Sequence, residues 1–382
     1  HMPSRRQRQM CIRDRLWITH RKFSDFCATT PIALANGLIK LGFDLTIMNP
    51  ERDGSHSDAT WEHIGLDTNA IRGFQSRTFS KKVVTHLESM ALDYDAYIMD
   101  WQVGSKVGEF LAQLNQPCFL MDRSPPADLG ILAKMQWKDW KNAWKLVKKG
   151  LFCSGFVVSN AHLRFVIQSS NIPATNISVL EAGVSVPDNA IPLSREDDDE
   201  WKFVYHGRLD KHRGILEFMK HIVAWNDIGI ASQLTLIGEG SAVSDINKRV
   251  AKHPGLFYLK GRIPHTEVLE QLKEHHIGIL PMPATKVWTL ASPLKRGEYL
   301  ASGLMVVGLD HQGHRFDDDV GPWMQLHDAS ILRTRISSLL NSMSDEEFAE
   351  NSQAAIEYAC EHLPWSRSIG ILADRIRGEV NG

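Results

Sequence analysis

The sequence predicts an α/β protein of two Rossmann-like domains. Three observations carry this expectation. A strand–helix–strand run opens near residue 16, a second opens at residue 201, and a polar segment over 187–200 separates them. The length of 382 residues suits two such domains. The expected layout is a tail over 1–15, an N-terminal domain over 16–186, a linker over 187–200, a C-terminal domain over 201–364 and a last helix over 365–382.

Composition narrows the class. Hydrophobic content is 43% and charged content 23%, ordinary for a globular chain. A net charge of −2 argues against a general nucleic-acid binder. No apolar run approaches the ~18 residues that span a bilayer. Five cysteines without a C-x-x-C pair read as reduced thiols of a cytosolic protein. The 17 histidines show no H-x-x-x-H ligand pair, so no zinc site is expected. His1-Met2 resembles a cloning scar, and Arg5, Arg6, Arg8, Arg13 and Arg15 make a basic tail without a secretory apolar segment.

In the first half, Leu16-Trp17-Ile18-Thr19 reads as a strand. Thr30-Pro31 then starts a helix with an apolar face at Ile32, Ala35, Leu38, Ile39 and Leu41, stopped by Gly42. Leu45 to Met48 is the next strand, Ala96 to Met99 a buried one with Asp100 at its end, and Pro117 to Met121 another. Asp122 and Arg123 follow that last strand, where α/β proteins gather ligand contacts. They are candidates for ligand contact, or an Arg–Asp pair that fixes the loop. The segment Leu129 to Lys149 alternates Trp137, Trp140, Trp144 and Val147 with Lys134, Lys138, Lys141, Lys145, Lys148 and Lys149. Such a helix either lies against an anionic membrane surface or packs its tryptophans inward.

The second half carries the denser motifs. Trp201 to His206 runs into Gly207-Arg208-Leu209-Asp210-Lys211-His212-Arg213-Gly214. Leu234 to Ile237 leads into Gly238-Glu239-Gly240, and Leu256 to Leu259 into Gly261-Arg262-Ile263-Pro264. Ile277 to Pro281 is a strand. Ser292-Pro293 then reads as N-cap and first residue of a helix that contains Lys295 and Glu298 and stops at Gly303. Exposed N–H groups and the helix dipole at such a start suit a phosphate, and Lys295 adds a full charge.

The stretch Ser292-Pro293-Leu294-Lys295-Arg296-Gly297-Glu298-Tyr299-Leu300-Ala301-Ser302-Gly303, with Val306-Val307 behind it, resembles the nucleotide-sugar helix of the family-4 retaining glycosyltransferases. Gly207-Arg208-Leu209, with a cation at 213, resembles their diphosphate-binding turn. The fold this implies is GT-B, two Rossmann-like domains facing a central cleft. The implied activity is metal-independent transfer of a hexose from a UDP- or GDP-type sugar, with retention, to a sugar, glycan or lipid-linked acceptor. By the same resemblance Arg208, Arg213 and Lys295 stabilise the leaving diphosphate, and Asp122 and Arg123 are the candidates for sugar or acceptor contact. Gly238, Gly240, Arg262, Ile263, Ser292, Pro293, Leu294 and Glu298 surround the donor nucleotide, with Glu298 on the ribose. No cofactor, metal or nucleic acid is implied. The last helix would cross back to the first domain, and the location would be cytoplasmic, peripheral at the inner membrane face.

Four departures from the pattern stand out. Arg213 replaces a lysine. No Gly-Gly pair occurs over 20–25, and no histidine follows Asp122 nearby. Leu290 stands where the family has the first of two glutamates separated by seven residues. An epimerase or phosphorylase of the same fold, or a catalytically silent binding subunit, are the alternative readings.

Overall fold

Apolar runs that alternate with amphipathic helices become parallel strands buried on both faces. The computed structural model describes residues 14–24, 28–68, 74–89, 94–126, 130–186, 190–195, 200–318 and 320–381. It divides into two units, His1–Glu181 with Trp365–Gly382, and Ala182–Pro364.

The first unit contains β1 (Asp14–Ile18), α1 (Thr29–Lys40), β2 (Asp44–Asn49), β3 (Glu62–Gly65), α2 (Gln75–Ser89), β4 (Ala96–Asp100), α3 (Trp101–Ala112), β5 (Cys118–Met121), α4 (Gly130–Lys148), β6 (Ser154–Val157), α5 (Asn160–Ser170) and β7 (Ile177–Val179). Its seven strands lie in the order β3-β2-β1-β4-β5-β6-β7, all parallel. Leu16, Trp17 and Ile18 in β1 are buried, between β2 and β4. The tail read over 1–15 is corrected at its end. Asp14 and Arg15 belong to β1, where Arg15 is buried and reaches Asp95 at 3.4 Å. Residues 1–13 lie outside the described residues.

The second unit contains β8 (Trp201–His206), α6 (Ile215–Asp227), β9 (Ser232–Ile237), α7 (Val243–Lys252), β10 (Phe257–Lys260), α8 (His265–Leu272), β11 (Ile277–Leu280), α9 (Lys286–Thr289), α10 (Leu294–Ala301), β12 (Met305–Leu309), β13 (Met324–His327), α11 (Leu332–Ser342) and α12 (Asp345–His362). Its six parallel strands lie in the order β10-β9-β8-β11-β12-β13. Phe203 stacks on Trp225 at 5.3 Å in its core. Arg195, read as linker, is buried. Its guanidinium lies 3.6 Å over the Trp201 ring and pairs with Asp345 at 3.3 Å.

The last helix, α13 (Trp365–Asn381), packs in the first unit. Gly37 on α1 makes room for it: a Cβ there would sit 2.1 Å from Ile369. Leu372, Ala373 and Ile376 join the core beside Trp17 and Leu34.

Candidate functional site

Three elements of the second unit converge at the carboxyl edge of its sheet: the end of β8, the start of α8 and α10. Glu298 is the centre. It is buried on α10, with Oε1 at 2.5 Å from His265 Nε2 and Oε2 at 3.2 Å from His206 Nε2. Burial alone would raise its carboxyl, but the two histidines outweigh burial and hold it at about 2. The hydrogen bond to Glu298 in turn raises His265 against the opposing pull of desolvation. Glu298 was expected to accept from ribose. In the structure both of its oxygens already face imidazoles, and neither histidine was singled out from sequence. The only available signal was position: His206 ends a strand, and His265 opens a helix after another.

The start of α10 differs from the expectation. The helix begins at Leu294. Pro293 is its N-cap, in extended conformation, with no side-chain cap. Ser292 is not the cap. Its Oγ accepts from the Ala182 N–H and from Arg296 Nη2, both at 3.3 Å. The first-turn N–H groups of α10 are therefore left uncapped by any side chain. Arg296, which the sequence reading passed over, is buried. It donates to the carbonyls of His314 and Arg315 and stacks 4.0 Å from the Phe316 ring. It thus ties the loop after β12 to the helix.

Lys295 faces the end of β8 from this helix start, and Arg208 and Arg213 share Asp210 in the turn that follows β8. Lys295 Nζ lies 5.2 Å from the Tyr205 ring centroid, and a Cβ on Gly207 would be 3.9 Å from it. Arg208 donates through Nε and Nη2 to Asp210, each at 3.2 Å. Asp210 also accepts from the Ser241 N–H at 3.1 Å and lies 3.8 Å from Arg213 Nε. Burial pushes the Asp210 carboxyl up, yet Arg208, the Ser241 amide and Arg213 together bring it below its ordinary value. Arg213 lies 4.6 Å over the Trp288 ring, which also stacks with His212 at 6.0 Å. Trp288 sits on α9, so the segment just before Leu290 is anchored on the arginine. Leu290 itself is buried.

The glycine turn after β9 has a neighbour other than the expected nucleotide. A Cβ on Gly238 would fall 1.9 Å from the Gly207 carbonyl oxygen, and one on Gly240 2.4 Å from Leu209 backbone. Gly238 holds a φ of +139°. These glycines let two backbone turns touch, and so shape the Arg208 loop from behind. Arg262 and Ile263 follow β10, Arg262 exposed and Ile263 half-buried.

In the first unit Asp122 is corrected as a sugar-contact candidate. It is fully buried and accepts from Trp140 Nε1 at 2.6 Å and Trp144 Nε1 at 2.9 Å, with His162 Nε2 at 3.3 Å. Neither does it pair with Arg123 to fix the loop: its partners come from α4 and α5. Arg123 beside it is half-buried. The same bonds fit the inward-packing reading of the tryptophan–lysine helix. Trp140 and Trp144 are spent inside the unit, while Lys134, Lys138, Lys141, Lys145, Lys148 and Lys149 face outward. No helix among the described residues is long and apolar enough to cross a membrane.

A polar cluster not anticipated from sequence closes the carboxyl edge of this first sheet. Asp100, buried at the end of β4, accepts from Thr19 Oγ1 at 2.6 Å and faces His20 Nδ1 at 3.0 Å. Burial pushes Asp100 up, but the hydrogen bond and charge of His20, with Arg21 and Thr19, leave it lowered. A carboxylate behind one nitrogen of an imidazole is the arrangement of an oriented base.

Against known proteins, no family model and no curated sequence matches the chain. Solved structures do. Sucrose-phosphate synthase from Thermosynechococcus elongatus aligns at a TM-score of 0.73 and 14% identity, over 96% of this chain and 99% of that one. TarM aligns at 0.73 and 11% identity, over 95% and 98%. Anabaena HepE, in complex with UDP, aligns at 0.71 and 12% identity, over 96% and 100%. The chain has the GT-B fold these proteins share.

Proposed function

We propose that this protein is a glycosyltransferase that moves a sugar from a nucleoside diphosphate sugar to an acceptor hydroxyl. One observation carries the proposal: Lys295, in the first turn of the uncapped α10, lies against Tyr205 and the Gly207–Arg208 turn at the end of β8, beside the buried Glu298–histidine cluster. The chemistry follows from charge. As the glycosidic bond breaks, the diphosphate gains negative charge. Fixed cations and amide N–H groups stabilise that charge more in the transition state than in the bound donor. These groups can do the work of a metal ion, so the expected reaction is metal-independent.

Two solved neighbours support the donor class. HepE has been seen with UDP and with UDP-glucose, and a Staphylococcus aureus TarM variant with UDP and α-GlcNAc-glycerol. We therefore favour a UDP-hexose over a GDP-sugar, with a sugar, glycan or lipid-linked hydroxyl as acceptor. Resemblance to family 4 favours retention of anomeric configuration.

The test is incubation of the full chain with UDP-glucose, UDP-galactose, UDP-N-acetylglucosamine and GDP-mannose, with EDTA, over a panel of acceptors. Released diphosphate reports turnover, and the anomeric proton coupling of the product reports stereochemistry. Lys295→Ala should lower kcat/KM by about a hundredfold, the loss typical of one transition-state charge contact. Product formed from donor alone would point to an epimerase. Absence of turnover with every donor and acceptor would sink the transferase reading.

A further inference from the structure

The connection from β2 to β3 in the first unit holds a cluster that the proposed transferase chemistry does not use. Asn49 ends β2, Glu51 follows it, His56 lies in the connecting loop, and His63 lies on β3. One ligand atom from each of Glu51, His56 and His63 lies within 4.8 Å of the other two. His56 Nε2 is 2.6 Å from Glu51 Oε2, and the two imidazoles meet edge to face with centroids 4.9 Å apart.

Asn49 orients two of the three. Its Nδ2 donates to Glu51 Oε2 at 2.7 Å, and its Oδ1 faces His63 Nε2 at 2.9 Å. With the amide set this way, His63 Nε2 must be the N–H donor, and Nδ1 carries the lone pair. That Nδ1 is buried and meets no hydrogen-bond partner among the described residues. Glu51 is further fixed by the Phe23 and Ser24 N–H groups at 2.9 and 3.0 Å. Hydrogen bonding thus explains the carboxylate and one ring nitrogen. It leaves the other nitrogen of His63 orphaned, which is costly unless something accepts its lone pair.

We propose that Glu51, His56 and His63 bind a divalent transition-metal ion of the zinc type, with Asn49 holding the ligands in place. Two imidazoles and a carboxylate are a zinc ligand set, and they leave a fourth position for water. The oxygen-hungry ions Mg²⁺ and Ca²⁺ do not suit it. A histidine ligand whose second nitrogen is held by an acceptor is the usual support for such a site. To bind, His56 gives up its Nε2 hydrogen bond to Glu51 and carries its proton on Nδ1. The bound ion braces the connection to β3 and, through Glu51, the Phe23–Ser24 turn that follows β1. The expectation of no zinc site rested on helix spacing, whereas these ligands are spaced over a loop and a strand.

The experiment strips the full chain with chelator and titrates it with Zn²⁺, Co²⁺ and Mg²⁺. The wild type should retain one equivalent of Zn²⁺ after desalting and melt several degrees higher with it, with no shift from Mg²⁺. Its Co²⁺ form should show the visible absorption of a four-coordinate nitrogen–oxygen site. His56→Ala and His63→Ala should each lose the equivalent, and Asn49→Ala should weaken binding by roughly 10–100-fold. His253→Ala, in the other unit, should change nothing. A wild type that keeps no Zn²⁺, or a His56→Ala/His63→Ala double variant that keeps it, overturns the proposal. If the variants do not fold, a wild-type Co²⁺ spectrum without four-coordinate bands overturns it on its own.

Discussion

Glu298 shows what a single side chain can and cannot reveal from sequence. Its place in a helix after β11 was legible, because Lys295 and Glu298 lie three residues apart on one short helix. Its partners were not: His265 is 33 residues away and belongs to a different strand–helix connection. The pair makes a signed prediction about pH. The folded carboxyl is lowered from 4.5 to about 2, so its stabilisation is present above 4.5 and lost as pH falls toward 2. The folded imidazole of His265 is raised from 6.5, so its share is present below 6.5 and fades as pH climbs through the raised value. The two contributions overlap between 4.5 and 6.5. Thermal melts of wild type and Glu298→Gln should therefore differ most in that window, with the difference narrowing as pH climbs through the raised His265 value and vanishing as pH falls toward 2. A difference independent of pH would mean that the histidines do not hold the carboxylate.

Among elements, α4 was read correctly as amphipathic, but its use was not fixed by its pattern. Tryptophans on one face and lysines on the other suit a membrane surface or a core equally well. The deciding residue, Asp122, lies 18 and 22 positions before its indole partners, at the end of β5. A carboxylate at that edge looks like a ligand contact until the tryptophans are seen to close over it. Gly155 on β6 completes the fit, since a Cβ there would stand 2.5 Å from the Trp144 ring. Asp122→Ala should leave two buried indole N–H groups without acceptors, at about 1–3 kcal/mol each. Urea unfolding should show a loss of roughly 2–6 kcal/mol on that basis, whereas a ligand-contact residue would change stability little. Among the strands, two short edge ones were missed. β3 and β13 are each four residues long and only partly buried, so neither makes the apolar run that marked their neighbours.

For the molecule as a whole, the two-unit α/β plan was legible because parallel sheets covered on both faces need continuous apolar strands, and those are hard to mistake. The turn after β8 and the helix that holds Lys295 and Glu298 were legible too, because each is a local pattern of glycine, proline and charge. What stayed hidden depends on distant partners: His265 on Glu298, Trp288 on Arg213 and His20 on Asp100. The central claim is that the second unit holds a nucleoside diphosphate at the start of α10. Its most direct measurement is the melting temperature of the full chain with UDP, GDP, ADP and NAD, each with EDTA, beside Lys295→Ala. A diphosphate at ~100 times its dissociation constant adds about 2.7 kcal/mol to stability. The account predicts a rise of several degrees with one diphosphate, strongly reduced in the Lys295 variant, and none with NAD. No rise with any diphosphate, or an equal rise in the variant, would contradict it.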